Sequence, residues 1–182
     1  MNLLKNRLPS TVEVGGFTFK VATDYGTALA ILDCMKDDLF PYEDRVDMAL
    51  DMFYVGDAWP VSRDLCLALM YDFLSCGDHD EHKSGRKVMD FDRDGNEIYT
   101  AIWRTYGVDL QETPVHWWKF NAMIQDLGEK TLLQNLLNIR TNKIQDVAEE
   151  KRAEFAKLQK ELAVDGPRID PDETLEERHR RW

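Results

Sequence analysis

Apolar residues recur at helical spacing through most of this chain, and this period constrains its fold more than any other feature. Ala28, Ile31 and Met35 lie on one face of a predicted first helix. Short loops separate this helix from the next ones, which favours antiparallel neighbours. The period therefore predicts a mainly all-α fold, a compact bundle of about five to six helices. The first four helices are expected over residues 24–40, 41–56, 60–77 and 94–107.

The only departure from this period is near the N-terminus. Two runs with alternating apolar residues, 11–14 and 17–21, flank the pair Gly15-Gly16. Two glycines between alternating runs indicate a β-hairpin with a tight turn. Because an isolated hairpin is marginally stable in water, we expect its valine and phenylalanine face to pack on a helix.

An aromatic segment predicts a fifth helix. Thr113 is a suitable N-cap, Pro114 suits the first helical position, and Gly128 is a C-terminal stop. Four large side chains then fall at the spacing of one helical face, which predicts a core face rather than a catalytic site. They are Trp117, Phe120, Ile124 and Leu127.

The C-terminal part has a different character. Residues 140–163 are mostly charged, with a thin apolar stripe, and predict one long amphipathic helix of about 25 residues and about 40 Å. The stripe suits an arm that folds back on the bundle, and it equally suits a seam for a partner or for self-association. The predicted organisation is a helical domain with the hairpin over 1–139, the long helix or arm over 140–164, and a flexible charged tail over 165–182.

The charge balance narrows the possible partners. The 34 Asp and Glu residues exceed the 23 Lys and Arg residues, for a net charge of −11. This balance argues against binding to nucleic acid and to anionic membranes, since both need basic residues. Three cysteines without metal-site spacing suit a reducing compartment, and no apolar run reaches the roughly 18 residues of a membrane span. We therefore expect a cytoplasmic protein.

Two loops contain residue types that bind metals. Asp90, Asp92, Asp94 and Gly95 copy the start of an EF-hand loop, but the twelfth position is Ala101 instead of the bidentate glutamate. A polar turn that caps the fourth helix is the favoured interpretation. The segment 76–82 offers a thiol, two imidazoles and carboxylates, but in one crowded loop. Because no nucleophile motif or phosphate loop appears, we expect no catalytic residue and no enzyme.

Several segments together resemble the bacteriophage gene-product-fifteen family of tail-region proteins. They are the Asp-rich segment 90–94, then Tyr106-Gly-Val-Asp-Leu110, His116-Trp-Trp-Lys-Phe120, and a leucine-rich stretch that reaches Ile139-Arg140. The resemblance implies a tail assembly chaperone in the host cytoplasm, without cofactor or active site. It would bind and solubilise the tape-measure protein before tail-tube subunits polymerise around it. A co-encoded tail chaperone or the tail-tube protein is a further implied partner.

A protein that holds a long helix needs an apolar groove or seam framed by charge. The stripe on the C-terminal helix and the two tryptophans are the candidate partner-binding residues, since tryptophan is enriched in interface hot spots. Two alternatives stay open: a structural subunit retained in the tail or neck, and a metal-dependent regulator that uses the Asp90–Asp94 loop. The candidate residues are Trp117, Trp118, Ile144, Phe155, Leu158 and Leu162.

Overall fold

A computed structural model describes residues 5–56, 59, 62–77 and 88–164. Within these ranges the protein is mainly α-helical, with one antiparallel hairpin, as predicted. None of the helices in these ranges is long and apolar enough to cross a bilayer. The elements are β1 (Thr11–Val14), β2 (Phe17–Lys20), α1 (Tyr25–Lys36), α2 (Tyr42–Phe53), α3 (Arg63–Leu74), α4 (Gly95–Tyr106), α5 (Trp117–Gln125), α6 (Leu132–Thr141) and α7 (Arg152–Glu161).

The hairpin has the predicted turn. Thr11 pairs with Lys20 and Val14 with Phe17, so Gly15 and Gly16 form a two-residue connection. Both glycines have positive φ, +57° and +83°, a conformation that side-chain-bearing residues rarely adopt. Val14 is buried whereas Phe17 is exposed, so the valine and phenylalanine face is only partly covered, and its packing on a helix stays a prediction.

The described chain divides into two compact units. Unit 1 comprises residues 1–85 and 102–127, and unit 2 comprises residues 86–101 and 128–182, as far as these ranges are described. The predicted domain limits at 139 and 164 stay a prediction. The predicted tail, 165–182, lies outside the described residues.

Unit 1 has a core built by α1, α2, α3 and α5. The apolar face of α2 is fully buried, as its spacing indicates, and Cys66, Met70 and Phe73 of α3 are buried as well. The segment that follows the hairpin joins the end of α2, since Ala22 N–H donates to the Phe53 carbonyl at 2.8 Å and Val21 forms an isolated bridge with Tyr54. The β-hairpin is thereby attached to a helix through the backbone.

The predicted start of α5 is wrong. His116, and not Thr113, is the N-cap, and the helix begins at Trp117. Residues just before it are extended because they pair with another part of the chain: Tyr25 N–H donates to the Val115 carbonyl at 2.9 Å, and Trp117 N–H donates to the Thr23 carbonyl at 2.6 Å. These long-range bonds replace the helical turn that Pro114 was predicted to begin.

Unit 2 contains the second correction. The single long helix predicted over 140–163 is wrong, because α6 ends at Thr141 and α7 begins only at Arg152. Between them lie two short 3₁₀ turns, Ile144–Asp146 and Glu149–Lys151, with extended backbone at Asn142 and Val147. This reversal lets α7 pack against α6, so the apolar stripe serves partly as an internal contact.

Candidate functional site

The predicted stripe is divided between the surface and the interior of unit 2. Phe155, Leu158 and Leu162 are spaced three and four residues apart, on one side of α7 and just past its end. Leu158 is 38% exposed, whereas Phe155 and Leu162 are half-buried. Ile144 is 39% exposed, and its 3₁₀ turn packs against α7. The structure therefore brings Ile144 close to α7. Ile144 and Leu158 together form an apolar edge that is exposed to solvent, which we call the apolar edge of α7.

Gln159 fixes the position of α7 on α6. Its side-chain amide donates to the carbonyls of Ile139 and Asn142 at 2.9 and 3.0 Å. The last carbonyls of a helix lack partners within the helix, so this amide satisfies the end of α6. One polar residue on the inner side of α7 thus holds the helix in place.

Two arginines donate hydrogen bonds to carbonyls at the C-terminal end of α7. Arg140 Nε donates to the Leu162 carbonyl at 2.6 Å, and Arg93 Nη2 donates to the Glu161 carbonyl at 3.0 Å. Guanidinium groups stabilise the C-terminal end of a helix because its free carbonyls carry partial negative charge. The end of α7 is therefore fixed to both α6 and the loop before α4.

A buried ion pair joins the same elements. Arg140 Nη1 and Nη2 donate to the two carboxylate oxygens of Asp94 at 2.6 and 2.8 Å. Asp94 is 1% exposed, and its carboxylate also accepts from Asp90 N–H at 2.9 Å. Arg140 further donates to the Val88 carbonyl at 2.8 Å. Such a bidentate pair is strong only because these further hydrogen bonds compensate for its burial.

The Asp90–Asp94 loop is a polar turn before α4, as its sequence indicates. Asp90 accepts from Asp92 N–H and Arg93 N–H at 2.9 and 3.0 Å, and Asp94 binds Arg140. The loop therefore directs its first and fifth calcium-type carboxylates at the protein's own donors. Across the ranges that the structure covers, no three His, Cys, Asp or Glu side chains are placed to hold a metal ion. His79 and His82 lie outside the described residues.

A cavity of about 300 Å³ lies beside the ion pair within unit 2. Leu136 and Leu162 form its apolar wall, and the charged lining comes from Asp92, Arg93, Asp94, Glu97 and Arg140. No serine, cysteine or histidine lines it, so this cavity has no hydroxyl or thiol nucleophile and no imidazole base. Leu162, at the end of the stripe, thus lines this cavity together with Leu136.

In unit 1, the two predicted tryptophans stabilise the end of α3. Trp117 Nε1–H donates to the Leu74 carbonyl and Trp118 Nε1–H to the Phe73 carbonyl, both at 2.9 Å. Trp117 is buried together with Phe120, Ile124 and Leu127, which confirms the predicted core face. Trp118 is half-buried. Their predicted role in partner binding stays a prediction.

His116 is held in one tautomer. Its Nδ1 accepts from Trp118 N–H at 3.1 Å, which caps α5, and its Nε2 lies 2.8 Å from the Pro9 carbonyl. A carbonyl only accepts, so Nε2 carries the hydrogen and Nδ1 carries none. Through these two bonds His116 links α5 to the segment before the hairpin.

The segments that carry the family resemblance have structural roles in both units. Tyr106 donates its hydroxyl hydrogen to the Met123 carbonyl at 3.0 Å, and Tyr25 donates to the Leu110 carbonyl at 2.7 Å.

Sequence reasoning did not identify Arg140 and Gln159 as key residues. The signal for Arg140 was available, since it falls seven residues after the buried Leu133 on the same helical face.

The chain matches a protein-family model. The family model described as "Bacteriophage Gp15 protein" matches residues 4–164. That range contains all the elements described above. Among curated proteins and among solved structures, no match to the chain was found.

Proposed function

Because the chain belongs to the bacteriophage Gp15 protein family, we propose that it is a non-enzymatic tail assembly chaperone that binds the tape-measure protein. It acts in the host cytoplasm, keeps the tape measure soluble, and is released when tail-tube subunits polymerise. A co-encoded chaperone or the tail-tube protein would take over the bound tape measure. No cofactor takes part.

The observation that carries this proposal is the apolar edge of α7. Ile144 and Leu158 remain exposed although α7 already packs on α6. Charges of both signs flank this edge, including Lys157 and Glu161. An amphipathic helix of the tape measure could add to such an edge in the way that helices add to a coiled-coil seam, with flanking charges setting the register.

Co-expression tests the proposal directly. We expect the tape-measure protein of the same phage to be more soluble with this chain than without it. Leu158→Asp should abolish that gain, because it places a charge in the centre of the edge. Ala153→Asp is the matched control, since it adds the same charge to an exposed position on the opposite side of α7 and should keep the gain.

Three outcomes contradict all or part of the proposal. Equal solubility of the tape measure with and without this chain would remove the chaperone role. Abundant copies in purified virions would instead favour a structural subunit retained in the tail or neck. If Leu158→Asp keeps the tape-measure protein as soluble as the unchanged chain does, the binding surface does not include the edge of α7.

A further inference from the structure

A second surface, in unit 1, presents apolar side chains to solvent at the turn between α1 and α2. Leu39 is 88% exposed, and Phe40 and Tyr42 are about half exposed. Tyr71 of α3 is exposed too, and its pKa is raised by burial and, to a smaller extent, by the nearby Tyr42. We call residues 37–47 together with Tyr71 the α1–α2 corner. A run of consecutive exposed apolar residues is unfavourable unless it serves contact with another molecule.

The corner is held in a fixed conformation. Leu39 N–H donates to the Asp37 carboxylate at 3.0 Å, and Phe40 N–H donates to the Asp37 carbonyl at 3.4 Å. Arg45 donates to the Met35 carbonyl at 2.9 Å and to Asp38 at 3.2 Å. Its guanidinium also lies 5.8 Å from the centre of the Tyr42 ring. The apolar side chains are therefore presented by an ordered turn, which lowers the entropy lost on binding.

The rim of the corner is negative. Five carboxylates lie in residues 37–47, namely Asp37, Asp38, Glu43, Asp44 and Asp47. Two guanidinium groups face them: Arg45 pairs with Asp38, and Arg63 pairs with Glu43 and Asp47. Carboxylates thus outnumber the basic groups, and the side chain of Asp38 is almost fully exposed.

We propose that the α1–α2 corner docks a basic amphipathic helix of another protein. The apolar face of that helix would contact Leu39, Phe40 and the two tyrosines, and its lysines or arginines would meet the carboxylates of the rim. A second copy of this chain is a poorer occupant, since a symmetric contact would place two negative rims against each other. The same rim disfavours nucleic acid and anionic membranes.

This surface is separate from the edge of α7 assigned to the tape measure, so the two proposals can fail independently. The probe is a fluorescein-labelled peptide of about 18 leucine and lysine residues, with the leucines on one helical face. Its control has the same composition in an order that gives no apolar face. Binding to the full chain is measured by fluorescence anisotropy at about 0.15 M salt, where long-range attraction is screened.

We expect Leu39→Asp to weaken binding of the first peptide about tenfold, as for a central apolar contact. Leu132→Asp makes the same replacement at another exposed leucine, the first residue of α6, and should change the affinity less than about twofold. If net charge alone determined the affinity, both variants would bind the basic peptide more tightly, since each variant makes the protein more acidic. Neutralising Asp38 and Asp44 to asparagine should weaken binding severalfold.

Three results would overturn the inference. They are absence of binding, equal affinity for the two peptides, and equal effects of Leu39→Asp and Leu132→Asp. Sedimentation adds a fourth: dimers that dissociate in Leu39→Asp would identify a second copy as the occupant.

Discussion

Removal of the charge at Asp94 should strongly destabilise the protein. Asp94→Asn keeps the size of the side chain and an acceptor for Asp90 N–H, but leaves the guanidinium of Arg140 buried without a counter-charge. Two unit charges about 4 Å apart attract by about 4 kcal/mol at an effective dielectric constant near 20. Measured losses on breaking buried pairs are about 3–5 kcal/mol. We therefore expect a loss of about 3–5 kcal/mol in the free energy of unfolding.

This loss is measured by urea denaturation, with unfolding monitored by circular dichroism. The same measurement is made on each member of a double-mutant cycle. Asp94→Asn/Arg140→Met removes both charges, so it should be less destabilised than the sum of the two single variants by at least about 2 kcal/mol. Thermal unfolding should shift in parallel, with Asp94→Asn melting roughly 6–20 °C lower.

An exposed ion pair provides the control. Lys157 and Glu161 lie 3.8 Å apart on α7, and the Lys157 side chain is 69% exposed. Lys157→Met should change stability by no more than about 0.5 kcal/mol. The reasoning is refuted if Asp94→Asn costs no more than this control, or if the coupling energy of the cycle is below about 0.5 kcal/mol.

Three further perturbations test other contacts. Burial raises the pKa of Asp24, but hydrogen bonds from Thr27 and from the backbone of Asp24 and Gly26 together outweigh it, so the pKa is lowered overall. Asp24→Ala should therefore lose about 1 kcal/mol at pH 7, and the difference in urea midpoint between the two proteins should shrink as the pH falls below about 4. A difference that grows on acidification would contradict this cap. Gln159→Met should cost about 1 kcal/mol and speed amide hydrogen exchange in α7, because the end of α6 loses two donors; unchanged exchange would show that the amide does not hold α7. Trp118→Phe should lower stability by about 0.5–1.5 kcal/mol in thermal unfolding, since the Phe73 carbonyl loses the indole N–H and keeps the bond from Cys76 N–H; full stability would argue against the indole bond.

Local sequence rules were sufficient where neighbouring residues determine the structure. Gly15 and Gly16 predict the hairpin because only glycine adopts both positive φ values without strain. The buried faces of α2 and α5 follow from helical spacing alone. Gly107 ends α4 as expected, with φ at +68° and its N–H donating to the Trp103 carbonyl at 2.9 Å.

Errors arose where distant residues determine the structure. Pro114 suits the start of a helix, but the backbone of Thr23 and Tyr25 pairs with the residues before α5 and holds them extended. Much of the charged segment after Arg140 consists of good helix formers such as Lys, Glu, Gln and Ala. Gln159 nevertheless favours a reversal, because its amide satisfies the end of α6 only when α7 turns back. Neither contact leaves a periodic signal in the sequence.

The contact between His116 and Pro9 has a consequence for folding during synthesis. It joins residues 107 positions apart, and Tyr25 bonds to Leu110 across 85 positions. At about 5–20 residues per second, a ribosome needs roughly 5–20 s to add the residues between Pro9 and His116. In the later part of that interval, once α3 has been made, α1, α2 and α3 exist without α5, and the nascent chain exposes the apolar surface that α5 later covers. A nascent unit 1 is therefore most prone to aggregation before its last helix leaves the ribosome, and slower translation would lengthen that interval.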